Sequence, residues 1–133
     1  MITVSTDKSK LQTDVIHQFL TNSYWAKGRT IEQVQTTIDN CLCFGVYLNN
    51  QQIGFGRIAT DYAVFAYLMD VFILPEHRGK GYSKQLMEAI INAEALKDCK
   101  TWMLKTSDAH NLYKQFGFTA LHNPDIVMER LLK

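Results

Sequence analysis

The sequence has 133 residues, 47% of them apolar and 20% charged, with a formal net charge of +1. A chain of this length predicts one domain, residues 1–133, with a core of its own. The near-neutral charge argues against a nucleic-acid partner, and no apolar run is long enough to span a membrane. Residues 1–8 lack the hydrophobic centre of a signal peptide, so neither secretion nor membrane attachment is expected.

The three cysteines, Cys41, Cys43 and Cys99, fit neither a disulfide framework nor a metal-ligand spacing. Cys41 and Cys43 lie in an apolar, strand-like run, which favours burial of both thiols. We expect free cysteines in a reducing compartment, and therefore a cytoplasmic protein without a bound metal.

The first forty residues carry one strand pattern and two helical patterns. Residues 2–4 fit a short strand, and apolar residues between 11 and 20 recur at helical spacing, which predicts a helix ending near Tyr24. Thr30 and Gln33 form a capping-box pattern, so a second helix is expected to begin at this threonine.

Three strands are predicted next. Residues 42–48 show the two-residue alternation of a strand, residues 49–52 are a polar turn, and residues 53–59 resume as a strand, which together indicate a hairpin. Residues 63–74 are a long apolar run without helical periodicity, which predicts a largely buried strand.

The remaining elements alternate between helix and strand. A helix has its inner stripe at residues 86–91, and residues 102–104 fit a short strand. Residues 109–116 fit a short helix that Ser107 or Asp108 caps and Gly117 ends, and residues 125–132 are expected to form a final strand. The order of elements predicts an α/β domain.

The most informative segment is residues 71–84, where an apolar strand runs into a basic turn and then directly into a helix. The first four N–H groups of a helix have no partners within the helix, and the aligned peptide dipoles add positive charge there. Gly79 and Gly81 leave the backbone accessible to a ligand. The segment therefore predicts a binding site for phosphate or pyrophosphate. Three cations add formal charge to it: Arg78, Lys80 and Lys84.

This turn resembles the acyl-CoA-binding motif of the GNAT superfamily of N-acyltransferases, Arg/Gln-x-x-Gly-x-Gly/Ala, and not the P-loop or the Rossmann fingerprint. The matching residues are 78–83, Arg-Gly-Lys-Gly-Tyr-Ser, and Ser83 departs from the glycine or alanine of the pattern. A second segment, residues 112–118, is similar to the Leu-Tyr-x-x-x-Gly-Phe segment of the same family. The resemblance covers nearly the whole chain. It implies a single-domain GNAT fold, with a mixed, mostly antiparallel central sheet flanked by helices and splayed central strands that bind acetyl-CoA.

The resemblance also implies a role for each matching position. Backbone groups of Val71, Phe72 and Ile73 would bind the pantetheine arm of acetyl-CoA, and Tyr113 would protonate the departing thiolate. Many relatives carry an asparagine seven residues before this tyrosine, where the present chain has Thr106. The residues implied for the pyrophosphate are Arg78, Gly79, Lys80, Gly81, Tyr82, Ser83 and Lys84.

Acyl transfer to an amine requires a neutral amine, a stabilised oxyanion and a leaving thiolate. An alkylamine has an unperturbed pKa of about 10.4, so a base or a desolvating pocket must remove its proton. A backbone N–H near Ile73 can stabilise the oxyanion. Asp70 is a candidate base, directly or through water, and the alternative is a structural carboxylate that satisfies neighbouring groups. Asp61, at the start of the same strand, is another acidic candidate.

Acceptor specificity is expected to come from the connection between the first two helices. Tyr24, Trp25 and Arg29 lie in this connection and are candidates for one wall of the acceptor pocket, unless the two aromatic rings instead close the core. His110, three residues before Tyr113, is a candidate for the acceptor site or a proton relay. Arg57 and Tyr67 are further pocket candidates.

We therefore predict an acetyl-CoA-dependent N-acetyltransferase, monomeric or homodimeric, that acts on a primary amine of a small molecule or a peptide. The first alternative is a CoA-binding sensor or partner module without catalytic activity. The second is an ATP-binding α/β domain, which the missing Walker lysine spacing disfavours. No sequence feature names the acceptor amine.

Overall fold

The computed structural model describes residues 1–132, which fold into one five-stranded sheet with helices packed on both faces. The strands are β1 (Thr3–Ser5), β2 (Leu42–Leu48), β3 (Gln51–Thr60), β4 (Phe65–Ile73) and β5 (Thr101–Leu104). The helices are α1 (Thr13–Thr21), α2 (Ile31–Asn40), α3 (Tyr82–Ile91) and α4 (His110–Lys114). Within the described residues, no helix is both long and apolar enough to cross a membrane.

The order of the strands in the sheet follows the chain from β1 to β5. Neighbouring strands from β1 to β4 are antiparallel, whereas β4 and β5 are parallel. A parallel pair needs a crossover connection, and α3 supplies it. The predicted α/β domain with a mixed, mostly antiparallel sheet is therefore confirmed.

Each face of the sheet has its own apolar core. On one face α1 and α2 bury Ile16, Leu20 and Val34 against Phe55 and Phe72 of the sheet. On the other face α3 buries a stripe of three side chains at helical spacing, Leu86, Met87 and Ile90. Full burial of one such side chain stabilises the fold by about 1.5–3 kcal/mol, so these stripes hold the helices to the sheet.

Several local predictions are confirmed. The hydroxyl of Thr30 accepts a hydrogen bond from the Gln33 N–H, and the Gln33 side chain accepts one from the Thr30 N–H, which completes the capping box. The hairpin turn is shorter than predicted, because only Asn49 and Asn50 form it and β3 begins at Gln51. Both asparagines have positive φ, 51° and 66°, as a two-residue hairpin turn requires.

Two other boundaries differ from the prediction. α1 ends at Thr21, so Tyr24 lies in the loop that follows. β4 begins at Phe65 and not at residue 63, because the Asp61 carboxylate accepts hydrogen bonds from the N–H groups of residues 63, 64 and 65 and holds them in a turn. Asp61 is thus engaged by its own turn.

The predicted final strand over residues 125–132 is wrong. A strand requires a neighbouring strand edge for its N–H and C=O groups, and this segment pairs with none of the five described strands. Apolar residues such as Ile126 and Met128 suggested burial, but they are 77% and 92% exposed. A surface ion pair of 2.7 Å between Lys105 and Glu129 connects the segment to the end of β5.

The three cysteines are free and buried, as predicted. Burial raises the pKa of the Cys43 thiol to about 11, with smaller effects of nearby charges. A thiol with this pKa stays protonated at neutral pH and is a poor nucleophile. Cys43 is therefore a packing residue beneath α2.

Candidate active site

The candidate site begins where β4 and β5 separate. β5 pairs with β4 only from Phe65 to Leu68, and its last residue, Leu104, lies opposite Leu68. Residues 69–73 of β4 continue beyond this point without a strand on that side, among the residues that the structure describes. The sheet therefore opens between β4 and β5, its last two described strands, which separate as the resemblance implied.

A bulge in β4 shapes the opening. The register with β3 changes from Met69 opposite Arg57 to Phe72 opposite Phe55, so two residues of β4 lie opposite Gly56 alone. Asp70 is the first of these two and has φ of 56°, a left-handed conformation that is uncommon outside glycine. The bulge turns the strand locally and reorients the side chains that follow.

The alternation of backbone groups along β4 decides which residues face the opening. The Leu74 N–H donates to the Ile53 carbonyl of β3 at 2.8 Å, so alternation turns the Phe72 backbone toward β3 as well. The same alternation turns the N–H groups of Val71 and Ile73 away from β3, toward the side on which the opening lies. The side chain of Phe72 belongs to the core, since the residue is 4% exposed and its ring stacks on Phe19 at 4.0 Å.

A cleft of about 500 Å³ lies at this opening and brings together most of the residues predicted for catalysis and for the acceptor. Its walls come from the loop between α1 and α2, from β4, and from the segment that joins β5 to α4. The predicted residues in its lining are Tyr24, Trp25, Arg29, Asp70, Val71 and Tyr113, together with Arg57 and Tyr67.

Asp70 is the hub of one wall of the cleft. Its side chain is 2% exposed, and one carboxylate oxygen accepts from Arg29 Nη1 at 2.6 Å and from Arg57 Nε at 2.8 Å. The other oxygen accepts from the indole N–H of Trp25 at 2.9 Å. Three donors from two different elements therefore converge on one buried carboxylate.

The ionisation of Asp70 follows from these partners. Burial acts to raise its pKa, but the charges of Arg57 and Arg29 and the hydrogen bonds from Arg57 and Trp25 outweigh burial and hold the pKa below its ordinary value. A general base works best with a pKa near the operating pH. The arrangement therefore favours the structural alternative for Asp70 over its use as a base.

Tyr24 and Trp25 form a wall of the cleft and do not close the core, because their side chains are 65% and 41% exposed. The Tyr24 and Ser107 hydroxyls are 2.6 Å apart and hydrogen-bonded, so the loop after α1 reaches across to the segment before α4. Trp25 packs on Phe19 with ring centroids 6.0 Å apart. Its indole hydrogen bond and this aromatic contact fix its orientation.

Tyr113 lies on α4 on the opposite side of the cleft from β4. Its ring is 9% exposed and packs edge-on against Phe118, with centroids 6.0 Å apart. Burial raises the pKa of its hydroxyl to about 12, with smaller contributions from Asp108 and Tyr24. The phenol therefore remains protonated, and able to donate a hydrogen bond, over the whole physiological range.

The segment before α4 is built differently from the prediction. The helix begins at His110 with Ala109 as its N-cap, and neither Ser107 nor Asp108 caps it. Instead, the Thr106 hydroxyl accepts from the Ala109 N–H at 3.0 Å. This bond holds the turn that points Ser107 and Asp108 toward the cleft, where both contribute to the lining.

His110 does not join the other candidates. It is exposed and lines a neighbouring cleft of about 450 Å³, between β5 and residues 118–121, which shares Tyr113 and Thr106 with the main cleft. Residues three apart on a helix lie on the same side only approximately, and α4 has little more than one turn. The structure therefore places His110 in this neighbouring cleft, apart from the lining that includes Asp70 and Trp25.

The glycine-rich turn lies at the other end of the opening. Gly79 and Gly81 have φ of 80° and 79°, and a Cβ built on either would meet no atom within 4 Å. Gly81 is also the N-cap of α3 and carries no side chain to cap the helix, so the first N–H groups of α3 face outward. The Arg78 Nε donates to the Ile73 carbonyl at 2.9 Å, so this cation also anchors the turn to the end of β4.

These features fit acetyl-CoA. Two backbone N–H groups of β4 face the opening, a helix N-terminus stands at its end, and the turn between them is bare of side-chain atoms where the glycines lie. Lys80 and Lys84 are exposed and add charge for a pyrophosphate. Tyr82 is half-buried against the core of α3, so its ring packs while its N–H belongs to the helix start.

Sequence reasoning missed the pairing of Arg57 with Asp70 and the position of Asp108. A signal for the first existed, because Arg57 interrupts an apolar strand and buried arginines need a partner. The sequence did not name that partner, because Asp61 is nearer to Arg57 in the chain than Asp70, which lies 13 positions away. The position of Asp108 depends on the turn at Thr106, whereas the sequence analysis named only Ser107 and Asp108 as candidate caps.

Three comparisons with known proteins agree with this geometry. The sequence model of the acetyltransferase (GNAT) domain matches residues 39–120. A protein of Gibberella zeae, assigned as an acetyltransferase, is 29% identical over 131 residues, which cover 83% of this chain and 74% of that protein. A crystal structure of a Xanthomonas campestris pv. campestris protein assigned to the GNAT family is 47% identical, covers 99% of this chain and 94% of the other, and superposes with a TM-score of 0.97.

A more distant structure is informative for the fold. A Clostridium acetobutylicum protein assigned as an acetyltransferase, whose crystal structure includes acetyl-CoA, is 17% identical and superposes with a TM-score of 0.69. The two chains cover 98% and 96% of each other. Together, the motif residues, the opening between β4 and β5 and the domain match show that this chain belongs to the GNAT family of acetyltransferases.

Proposed function

We propose that this protein transfers an acetyl group from acetyl-CoA to a primary amine of a small molecule or a peptide by direct attack. The observation that carries the proposal is the opening between β4 and β5, which has the glycine-rich turn at one end and Tyr113 beside the acceptor cleft. Acetyl-CoA, when bound, supplies a thioester whose carbonyl carbon is electrophilic.

The backbone of β4 positions the donor in this proposal. The N–H groups of Val71 and Ile73 hydrogen-bond the pantetheine arm, and one of them stabilises the negative charge that develops on the carbonyl oxygen. The turn at residues 78–84 binds the pyrophosphate. Holding the amine and the thioester together supplies much of the acceleration, since well-oriented reactants reach effective concentrations of about 10⁵ M or more.

Tyr113 is the proposed general acid. As the amine nitrogen bonds to the carbonyl carbon and the C–S bond breaks, the hydroxyl of Tyr113 donates its proton to the sulfur. The amine nitrogen loses one proton to solvent, and a proton from solvent then restores the phenol. The Tyr113 hydroxyl has a pKa of about 12 and a thiol has a pKa of about 8.5, so full transfer of the proton from the phenol to the thiolate is unfavourable by itself. The hydrogen bond from the phenol therefore stabilises the leaving thiolate first, and proton transfer is completed when the phenolate is reprotonated.

Asp70 has a positioning role in this proposal. Its carboxylate holds Trp25, Arg29 and Arg57 in one arrangement along the acceptor side of the cleft. The three free, buried thiols support a reducing compartment, and hence the cytoplasm, as the place where the protein works. For the acceptor, the observed cleft favours a small molecule or the end of a peptide.

A panel of primary amines tests the proposal, with release of free CoA from acetyl-CoA as the readout. We expect at least one amine to be acetylated, with the acetyl amide identified by mass spectrometry. If CoA binds by calorimetry but no amine is acetylated, the protein is the CoA-binding sensor or partner module instead. If ATP binds more tightly than CoA, the nucleotide-binding alternative is supported.

A further inference from the structure

We infer that the acceptor is an amine that also carries an anionic oxygen group, a carboxylate or a phosphate, and that Arg29 binds this group. The inference rests on the proposed acetyl transfer and names the class of amine. It follows from the charges and the hydrogen bonds around Asp70, and from the two depressions that meet at Arg29.

The cluster around Asp70 has an unbalanced positive charge. Among residues 1–132, one carboxylate pairs with two guanidinium groups, those of Arg29 and Arg57, so one positive charge is left without an acidic partner. The remaining nitrogens of Arg57 do not find strong acceptors. Its Nη1 lies 3.4 Å from the Cys41 sulfur and its Nη2 lies 3.5 Å from the Met69 sulfur, and sulfur is a weak acceptor.

Arg29 is the member of the cluster that a ligand can reach. Its side chain is 21% exposed, against 10% for Arg57 and 2% for Asp70. A guanidinium has five N–H donors, and within residues 1–132 Arg29 makes one side-chain hydrogen bond, from Nη1 to Asp70. The other donors are available for the bidentate contact that carboxylate and phosphate groups make.

Arg29 and Arg57 also contribute to a second depression of about 840 Å³, on the other side of the loop at residues 24–29. That depression has one further cation, Lys27, and one anion, Glu32. In the main cleft the remaining charged side chains are Lys105, which pairs with Glu129, and Asp108. The positive charge therefore concentrates at the arginine side of the cleft.

Asp108 lies on the opposite wall, on the Tyr113 side, where its charge contributes to raising the pKa of the tyrosine. An ammonium group approaching Tyr113 is attracted by this carboxylate, whereas an anionic group is repelled. An acceptor with both charges can thus satisfy both walls. A polyamine would place further cations beside the arginines, and an uncharged substituent would leave Arg29 without an anion.

The test compares amines in matched pairs that differ only in the anionic group. Amino acids are measured beside their amides, and aminoalkyl phosphates beside the corresponding amino alcohols, with acetyl-CoA as donor. We expect kcat/KM to favour the anionic member by about tenfold or more, because a charge-assisted hydrogen bond is worth at least that ratio. The KM of the anionic amine should rise with ionic strength.

Variants assign the effect to Arg29. Arg29→Gln should bring the anionic-to-neutral ratio close to one while the acetyl-CoA KM stays the same, and Arg29→Lys should restore part of the ratio. Lys10→Gln removes one exposed positive charge near the N-terminus and should leave the ratio unchanged. Calorimetric CoA binding shows that each variant is folded.

A binding measurement keeps the inference separate from the proposed activity. With CoA in place of acetyl-CoA no reaction occurs, so binding can be measured alone. In the wild type, the anionic amine should raise the thermal midpoint more than the neutral amine does. In Arg29→Gln, the two amines should raise it equally. Equal protection by both members, or protection that survives Arg29→Gln, overturns the inference even if amines are acetylated. Absence of any acetylation, with Arg29-dependent anion binding intact, overturns the proposed reaction instead.

Discussion

Tyr113 combines two properties that a proton donor in this cleft needs. It is buried enough for its ring position to be fixed, and the raised pKa of about 12 keeps its proton in place. An unperturbed phenol, with a pKa of about 10, would begin to ionise within an ordinary alkaline pH series. In the folded protein this ionisation is displaced beyond such a series.

We predict that Tyr113→Phe lowers kcat while the acetyl-CoA KM and the melting temperature stay near wild type, since phenylalanine keeps the ring. A positioned donor contributes about 10²–10⁴-fold, and the loss should fall toward the lower end because a thiolate leaves readily. The measurement is steady-state kinetics on a confirmed acceptor, together with single-turnover kinetics to establish that the chemical step limits the rate. Tyr67→Phe, in the same cleft, is the matched control. Full kcat in Tyr113→Phe would make the tyrosine a packing residue.

The same pKa predicts an alkaline effect on stability. Because the folded pKa of Tyr113 lies above its unfolded value of about 10, its contribution is fully present below pH 10 and is lost as the pH rises toward 12. Wild type should therefore lose stability relative to Tyr113→Phe in urea unfolding between about pH 10 and pH 12, and not below. If wild type already loses stability relative to Tyr113→Phe near pH 8, the pKa of Tyr113 is not raised.

Asp70 predicts the opposite pH dependence, a loss of stability as the pH falls. Its folded pKa lies below the ordinary value of 3.8, so its contribution is present above about pH 4 and is lost as the pH falls through the folded pKa. Asp70→Asn leaves two arginines without a carboxylate and should cost about 3 kcal/mol at pH 7, the low end for a broken buried pair because Arg29 is partly exposed. Urea unfolding at pH 7 and near pH 3 measures both effects, and the deficit should shrink at the lower pH. The exposed Asp98→Asn is the control, and an equal deficit at both pH values would argue against an ionised Asp70.

Among the elements, the turn between β4 and α3 depends most on the backbone conformation of its glycines. Gly81 has φ of 79° and Gly28, in the loop after α1, has φ of 82°. Neither position has an atom within 4 Å of a Cβ, so both substitutions carry the same backbone strain and no clash with the protein. They differ only in what stands nearby.

We predict that Gly81→Val weakens CoA binding at least tenfold, whereas Gly28→Val leaves it near wild type. The left-handed conformation costs a non-glycine residue about 1–2 kcal/mol at either position, so equal loss of stability in both variants isolates the ligand effect. Isothermal titration calorimetry with CoA is the measurement, and thermal unfolding checks the strain. Unchanged CoA affinity in Gly81→Val would place the cofactor elsewhere.

At the scale of the whole molecule, ligand binding and folding are linked. A ligand that binds only the folded chain stabilises it by about 2.7 kcal/mol at one hundred times its Kd. For a domain of this size we expect CoA to raise the melting temperature by roughly 10 °C. Differential scanning fluorimetry with CoA, and with ATP as the comparison ligand, tests this. A larger shift with ATP than with CoA would contradict the assignment of the site.

The outcome for the different elements shows how far local sequence reasoning reaches. The capping box at Thr30 and the left-handed glycines of the turn were predictable because their partners lie within a few residues. The hairpin at Asn49 and the helix stripe of α3 belong to the same class. The segment at residues 125–132 had the composition of a strand, but a strand also needs a free edge within reach, and composition carries no information about edges.

Sequence alone therefore determined the α/β class, the glycine-rich turn before α3, and the position of Tyr113 on a short helix ended by Gly117. Each depends on periodicity or on backbone conformation, which neighbouring residues set. Only the tertiary structure decided that Asp70 is held by Trp25 and Arg29, 45 and 41 residues away, and that the Phe72 backbone faces β3. These features depend on strand register and on a bulge, and a shift of one residue in register would turn every side chain and backbone group to the opposite side.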